Sequence, residues 1–242
     1  MHFSDDLRIG PVQLPNADTS NPAPMSLGIG PLGRVYIFDV VPVTLQAAGI
    51  AASQTPGAAG NLTLTAGTGA TSVLRSDGTT VVQLDTPRCV TITAAGANAA
   101  IPTVYGYDQY GQPMSQTLAA PSTSTVTTTK AFFQISRIAV SAAAGSALTA
   151  GFNDKLGLPL RVTDVGYVSS VKWAATLAAD AGTFVAADTT SPATVSTTDV
   201  RGCYTPSSAA NGSRRLVLQI ALPALAVGPN ATRVGAAGVD QV

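Results

Sequence analysis

The chain has 242 residues, of which only 11% are charged, and its formal net charge is zero. Soluble domains usually carry about 25% charged residues, so the surface is poor in ions, which suits a subunit of an assembly better than a free monomer. The scattered arginines exclude the basic patch that a nucleic-acid partner requires. The absence of Glu, the three Lys and the abundant Thr, Ser, Val and Gly predict an all-β protein.

Residues 1–33 are the first predicted segment, an extended N-terminal arm. The segment is proline-rich and lacks a sustained hydrophobic period. It also lacks the continuous apolar core and basic start of a secretory signal, so we expect synthesis in the cytoplasm. Its sparse apolar side chains could insert into a groove on a neighbouring molecule, and plain disorder is the alternative. The candidate interface residues are Phe3, Leu7, Ile9, Val12, Leu14, Met25 and Leu27.

The stretch GIGPLG, residues 28–33, matches the G-x-G-x-x-G pattern of dinucleotide-binding loops. That loop needs a strand before it and a helix after it. Here a proline-rich segment precedes the glycines, and the β-forming run RVYIFDVV follows them, with Pro42 stopping any helix. Because the context is reversed, we expect no bound cofactor. The glycines instead allow the arm to turn into the first strand.

From residue 34 to about 222, short runs with period-2 alternation are separated by turn residues. In RLVLQIAL, Leu216, Leu218 and Ile220 share one face. In VKWAATL, Trp173 is a predicted core anchor that shares a face with Leu177. Two stretches, residues 43–52 and 174–181, could be short helices. The pattern predicts an antiparallel β-sandwich or jelly-roll-like body at 34–223, with a division into two subdomains near 165 left open, and a C-terminal tail at 224–242.

Turn residues mark the predicted hairpins. Asp77–Gly78 predicts a two-residue hairpin turn, because both central residues of that turn need positive φ. The tetrapeptide Asp108-Gln109-Tyr110-Gly111 has Asp first and Gly fourth, as a type I turn prefers. The most apolar run, near the end of the body, is interrupted by Gln219 and Pro223, so we expect no membrane span.

Candidate catalytic and metal-binding residues are few. Cys89 and Cys203 are the only cysteines, and His2, in the arm, is the only histidine. Two cysteines alone cannot hold a metal, and a histidine-based triad or zinc site would depend on His2. Sequence does not decide whether the cysteines pair. We therefore predict no catalytic residue, no metal and no enzyme. The competing enzyme hypothesis would use an Asp pair, Asp5–Asp6 or Asp154 with Asp164.

Three central segments carry a family resemblance. They are LDTPRCVTITAAGANAAIPTVYGYDQYGQPMSQTL (84–118), TTTKAFFQISRIAVS (127–141) and GFNDKLGLPLRV (151–162). In this order they resemble the β-rich head decoration, or cement, proteins of tailed bacteriophages. The matching residues are Pro87, Arg88, Asp108, Gly111, Pro113, Lys130, Ala131, Phe132, Asp154, Leu156, Gly157, Leu158 and Pro159.

The resemblance implies a structural role for these residues. Asp108, Gly111 and Pro113 would form a turn, and Phe132 would fill the core. The implied function is to bind the outside of the major capsid protein shell and bridge its capsomers, as a homodimer or homotrimer that is assembled in the host cytoplasm. The implied partners therefore include neither nucleic acid nor a membrane.

A carbohydrate-binding or tail-fibre module is the alternative function. Tyr105, Tyr107 and Tyr110 could form a stacking patch for sugars, although a structural role competes with that interpretation. Turns of the D-x-Y-G-x-P type also occur in exported immunoglobulin-like surface modules, because they are general hairpin chemistry.

Overall fold

The structure, a computed structural model, describes residues 34–188 and 199–222. The predicted arm with its seven candidate interface residues, the GIGPLG stretch and the tail at 224–242 lie outside these ranges. In the described part of the chain, no helix has the length and apolar character needed to cross a membrane. The described residues form an all-β, antiparallel, sandwich-like body, as the composition and alternation predicted.

Fourteen strands lie within the described ranges, together with one turn of 3-10 helix at Val165–Tyr167. The strands are β1 (Arg34–Val40), β2 (Gln46–Gln54), β3 (Gly60–Asn61), β4 (Ala70–Leu74), β5 (Thr80–Ala94), β6 (Pro102–Tyr107), β7 (Pro113–Thr117), β8 (Thr125–Val140), β9 (Leu148–Gly157), β10 (Val168–Trp173), β11 (Ala178–Ala179), β12 (Thr183–Val185), β13 (Cys203–Thr205) and β14 (Leu216–Leu222).

The larger sheet has ten strands among the described residues, in the order β12-β13-β9-β5-β8-β6-β7, with β2, β3 and β4 attached at the side. The long strands β5, β8 and β9 change partners along their length. For example, β9 pairs with β2 over one half and with β13 over the other. The sheet curls around a core to which Phe132 and Phe152 contribute the largest side chains. Phe132 is fully buried, as predicted.

The smaller sheet has the order β1-β14-β10-β11 within the described residues. It joins β1, from the start of the body, to β14, from its end, in register from Arg34 opposite Leu222 to Val40 opposite Leu216. Alternation in β14 buries Leu216, Leu218 and Ile220 completely. These side chains and Trp173, which is 3% exposed, form a second core.

Neither of the two predicted short helices is present. Residues 46–54 form β2, whose Ile50 and Ala51 are fully buried against the larger core, and tertiary pairing with β9 overrides the local alanine content. Residues 174–177 form a turn between β10 and β11, with φ of 81° at Ala174 and 49° at Leu177. Leu177 therefore does not continue the buried face of Trp173.

The two predicted hairpins are present, but one turn is longer than expected. Between β4 and β5 only Gly78 has positive φ, at 81°, and Arg75 N–H donates to the Thr79 carbonyl across a wider loop. The prediction of a two-residue turn was therefore wrong. The Asp108–Gly111 turn between β6 and β7 is confirmed. Gly111 has φ of 78° and its N–H donates to the Asp108 carbonyl over 3.1 Å.

Candidate functional site: a buried ionic junction and a tyrosine groove

Arg88 on β5 is the centre of a buried polar network. Its side chain is 0% exposed, although an arginine in this position carries a full charge. Nε and Nη2 donate to the two carboxylate oxygens of Asp85 at 2.9 and 2.6 Å. Nη2 also donates to the Val43 carbonyl at 2.7 Å, and Nη1 to the Asp154 carboxylate at 3.2 Å. One side chain thus connects β5, the segment before β2, and β9.

Asp154 on β9 extends this network towards the second core. One of its carboxylate oxygens accepts from Arg88, and the other accepts from the backbone N–H of Ala210 at 3.0 Å. Ala210 is buried beside Trp173 and β14 in the second core. The Arg88–Asp154 ion pair therefore connects the two cores of the body.

Asp108 makes a second connection from the β6–β7 turn. Its Oδ1 accepts from the N–H groups of Tyr110 and Gln112, and its Oδ2 lies 2.8 Å from Nη1 of Arg201. Both ionic side chains are 3% exposed. The turn is also held by the Tyr110 hydroxyl, which donates to the Pro159 carbonyl at 2.6 Å. Burial raises the pKa of Tyr110, whose hydroxyl is protonated at neutral pH even at the ordinary tyrosine pKa of about 10.

Asp199 and Lys130 complete the network. The Asp199 carboxylate accepts from the N–H of Ala131 on β8 and from the N–H of Arg201, each at 2.8 Å. Burial raises the pKa of Asp199, against the opposing effect of these two N–H groups. Burial also lowers the pKa of Lys130, and the charge of Asp199 partly offsets that effect. The low polarity of the site thus disfavours the charged forms of both groups.

We call these residues the ionic junction: Arg88, Asp108, Lys130, Asp154, Asp199 and Arg201. The junction attaches the segments around residues 199–201 and 210 to the larger sheet. Charged pairs that are buried in this way contribute little net stability compared with apolar residues, but they penalise every arrangement in which one partner is lost. The junction can therefore fix the relative position of the two cores.

The predicted structural residues lie where the sequence placed them. Asp108 and Gly111 lie in the β6–β7 turn, and Pro113 is the first residue of β7. Phe132 lies in the larger core, and Trp173 lies in the second core with its indole N–H donating to Ser208 at 3.0 Å.

The Asp154–Asp164 pair of the enzyme hypothesis has a different arrangement. Asp154 belongs to the junction, whereas Asp164 accepts from the N–H of Gly166 at 2.6 Å and caps the 3-10 turn. Among residues 34–188 and 199–222, no group of three or more His, Cys or Asp side chains has a metal-binding arrangement.

Sequence reasoning missed the contribution of Asp199 and Arg201. The pentapeptide DVRGC at residues 199–203 has no strand pattern of its own, but it places two charges in a stretch that is otherwise poor in ions. Both side chains are 3% exposed. The two opposite charges of Asp199 and Arg201, in a stretch that is otherwise poor in ions, were the sequence signal that could have indicated a buried ionic site.

A tyrosine groove lies on the outer face of the larger sheet. Its volume is about 330 Å³, and Tyr105, Tyr107, Ser115 and Arg137 are among its lining residues. The guanidinium of Arg137 lies 3.9 Å from the centroid of the Tyr105 ring, and Arg75 lies 3.6 Å from that of Tyr107. The third predicted tyrosine, Tyr110, instead packs at the junction, where Arg201 lies 4.9 Å from its ring centroid.

Comparison with known proteins provides no relative from which a role could be transferred. No protein-family model, curated protein or solved structure matches this chain.

Proposed function

We propose that the chain is a virion structural protein, a capsid decoration or cement protein that binds the outside of the major capsid shell and bridges its capsomers. One observation carries the proposal. Residues of the three segments that resemble cement proteins meet in and around one buried junction, although they are up to 66 residues apart in sequence. Arg88 of the first segment is in register with Phe132 of the second and pairs with Asp154 of the third, and Tyr110 of the first donates to Pro159 of the third.

A rigid body is what such a role requires. A shell filled with DNA is under outward pressure, and a bridging subunit resists separation of its neighbours only if it does not deform. The ionic junction and two cores supply this stiffness, because a partial separation would leave Arg88 or Arg201 buried without its carboxylate. The rigidity therefore supports a mechanical role.

The edge of the smaller sheet is the surface that we assign to assembly. In the described chain β1 is the last strand of that sheet, and it follows directly after the N-terminal segment 1–33. Its Ile37 is 69% exposed, and Val41 just beyond it is 48% exposed. An edge strand that has no partner on its outer side among the described residues, and that carries exposed apolar side chains, favours contact with another chain.

The energetics of bridging depend on repetition. A standard interface removes about 1,600 Å² from water, and at about 25 cal/mol per Å² of apolar area the gross gain is large, although association costs cancel most of it. The low charge of this chain reduces the ionic surface that each contact must desolvate. Simultaneous contact with two capsomers increases the binding of each subunit further. The proposed partners are the major capsid protein and other copies of this chain, in a homodimer or homotrimer on the capsid exterior.

Deletion of residues 1–27 tests the proposed role of the N-terminal segment. We expect the truncated protein to keep the thermal unfolding transition of the full chain, because both described cores lie after residue 34. Its affinity for purified shells should fall at least about tenfold, since lost contacts worth about 1.4 kcal/mol reduce affinity by that factor. Quantitative electrophoresis of shells equilibrated with each form over a range of subsaturating concentrations measures the occupancy, and from it the affinity. Equal occupancy of both forms would reject the role of this segment.

The tyrosine groove favours carbohydrate binding as a second candidate function. Tyr105 and Tyr107 present ring surfaces beside Ser115 and Arg137, although the two arginines already cover one face of each ring. A glycan array with the wild-type protein and the Tyr105→Ala/Tyr107→Ala variant separates the two functions. Binding to a glycan that the variant loses would favour the adhesin function, whereas shell binding that the variant retains would favour the decoration function.

A further inference from the structure

Two buried cysteines from distant parts of the chain share one hydrogen-bond acceptor. The thiol of Cys89 on β5 lies 3.7 Å from the carbonyl oxygen of Thr129, and the thiol of Cys203 on β13 lies 4.0 Å from the same oxygen. Both cysteines are reduced in the structure, with exposures of 0% and 1%. With Ala131 they form a small apolar cluster of their own.

The Cys89 thiol also affects the pKa of Cys203. The pKa of Cys203 is raised mainly by a hydrogen bond with the Cys89 thiol, and burial raises it further. The backbone makes this approach possible because Cys203 is in register with Gly157 of β9, which has no side chain to separate the thiol from Cys89 and Ala131.

We propose that Cys89 and Cys203 form an intramolecular disulfide when the folded protein meets a disulfide oxidant such as oxidised glutathione. One cysteine thiolate attacks oxidised glutathione, forming a mixed disulfide and releasing one glutathione thiolate. The second cysteine thiolate then attacks the protein sulfur of that mixed disulfide and expels the other glutathione. The two protons lost by the cysteines are taken up by the two glutathiones, which also receive the two electrons.

The position of the pair gives the cross-link a structural consequence. The β13 strand has only three residues, and it is in register with β9 at Cys203 and Tyr204 alone. A disulfide would attach this short strand covalently to β5, in the middle of the larger sheet. It would also close a loop on the order of 100 residues, for which the loss of unfolded-state freedom is large. The cross-link would therefore reinforce the ionic junction next to it.

Burial makes this reaction slow. Neither sulfur is accessible in the closed structure, so the first attack requires a local opening, which the short β13 strand can provide. A cytoplasmic protein would keep both thiols during folding and assembly, since that compartment is reducing. Oxidation would follow after release into an oxidising medium. This inference does not depend on the capsid role.

Incubation of the purified full chain with oxidised glutathione tests the proposal. After alkylation of the remaining thiols, peptide mapping by mass spectrometry should identify a Cys89–Cys203 cross-linked peptide that dithiothreitol removes. The Tm of the oxidised protein should exceed that of the reduced protein by about 10 °C. Addition of mild denaturant should accelerate the reaction, because it opens β13.

Variants with single thiols provide the control. Cys89→Ser and Cys203→Ser each retain one cysteine, which can form at most a mixed disulfide with glutathione, so oxidation should not raise their Tm above that of the reduced form. The proposal is overturned if the wild-type chain, oxidised in mild denaturant and returned to buffer, yields two alkylated cysteines, two separate glutathione adducts or a disulfide between two chains. Each of these outcomes shows that the two sulfurs cannot join within one molecule.

Discussion

Replacement of Arg88 by alanine is expected to lower the free energy of unfolding by about 3–5 kcal/mol. The substitution leaves the carboxylates of Asp85 and Asp154 without the guanidinium that connects them, and it leaves the Val43 carbonyl without its donor. The two carboxylates are mostly buried, with side-chain exposures of 19% for Asp85 and 11% for Asp154, so the loss of their partner carries a large part of the desolvation cost. Since domains of this kind are stable by about 5–15 kcal/mol in total, the loss is a large part of the whole.

Equilibrium denaturation in urea measures this effect. Arg137→Ala is the matched control, because Arg137 is an exposed arginine on β8 whose guanidinium lies over the Tyr105 ring. Its replacement should change stability by no more than about 0.5 kcal/mol. Arg88→Lys should be almost as damaging as the alanine variant, since an ammonium cannot form the paired contact with Asp85. Equal stability of the Arg88→Ala and Arg137→Ala variants would contradict a structural role for the junction.

The second large effect is expected at Gly157, where β9 passes close to β8. A Cβ atom at this position would lie 2.5 Å from the Cβ of Ala131 and 3.0 Å from the Cβ of Pro87. Both neighbours are buried, and neither has a flexible end that could move away. Gly157→Ala should therefore destabilise the protein by about 1–3 kcal/mol through overpacking.

A double variant separates this clash from other effects of alanine. Ala131→Gly removes the methyl group that meets the new Cβ, at its own cost of about 1 kcal/mol. The double variant Gly157→Ala/Ala131→Gly should be more stable than the sum of the two single effects predicts, by about 1 kcal/mol, when the variants are compared by thermal and urea unfolding. Simple additivity of the two losses would show that the contact between β9 and β8 is not the cause.

The sequence predicted those features that local chemistry determines. Alternation identified the buried face of β14, and the Asp108 and Gly111 pair identified the β6–β7 turn, because a strand and a turn each depend on a few neighbouring residues. Local pattern failed at residues 43–52, where alanines suggested a short helix. Most of that stretch belongs to the strand β2, Gln46–Gln54, because β9 supplies its hydrogen-bond partners.

The ionic junction could be recognised only in part. The family resemblance included Arg88, Asp108 and Asp154. The spacing of residues in the sequence did not predict which groups they contact. Arg88 pairs with Asp154 across 66 residues of sequence, and Asp199 reaches the N–H of Ala131 across 68. Contacts of this range follow from the packing of whole sheets, which no local motif encodes. The close approach of Gly157 to Ala131 is also a contact that follows from the packing of whole sheets and not from a local motif.

We propose that this rigid, ion-poor β body acts on the outside of a phage head. Immuno-electron microscopy tests this location most directly. Antibodies against residues 34–222 are applied to intact tailed-phage particles, which are purified from cells that produce the chain from its native locus. The account predicts dense label over the head of each particle, at many sites on its surface. Label confined to the tail, or particles without label from cells that contain the protein, would contradict it.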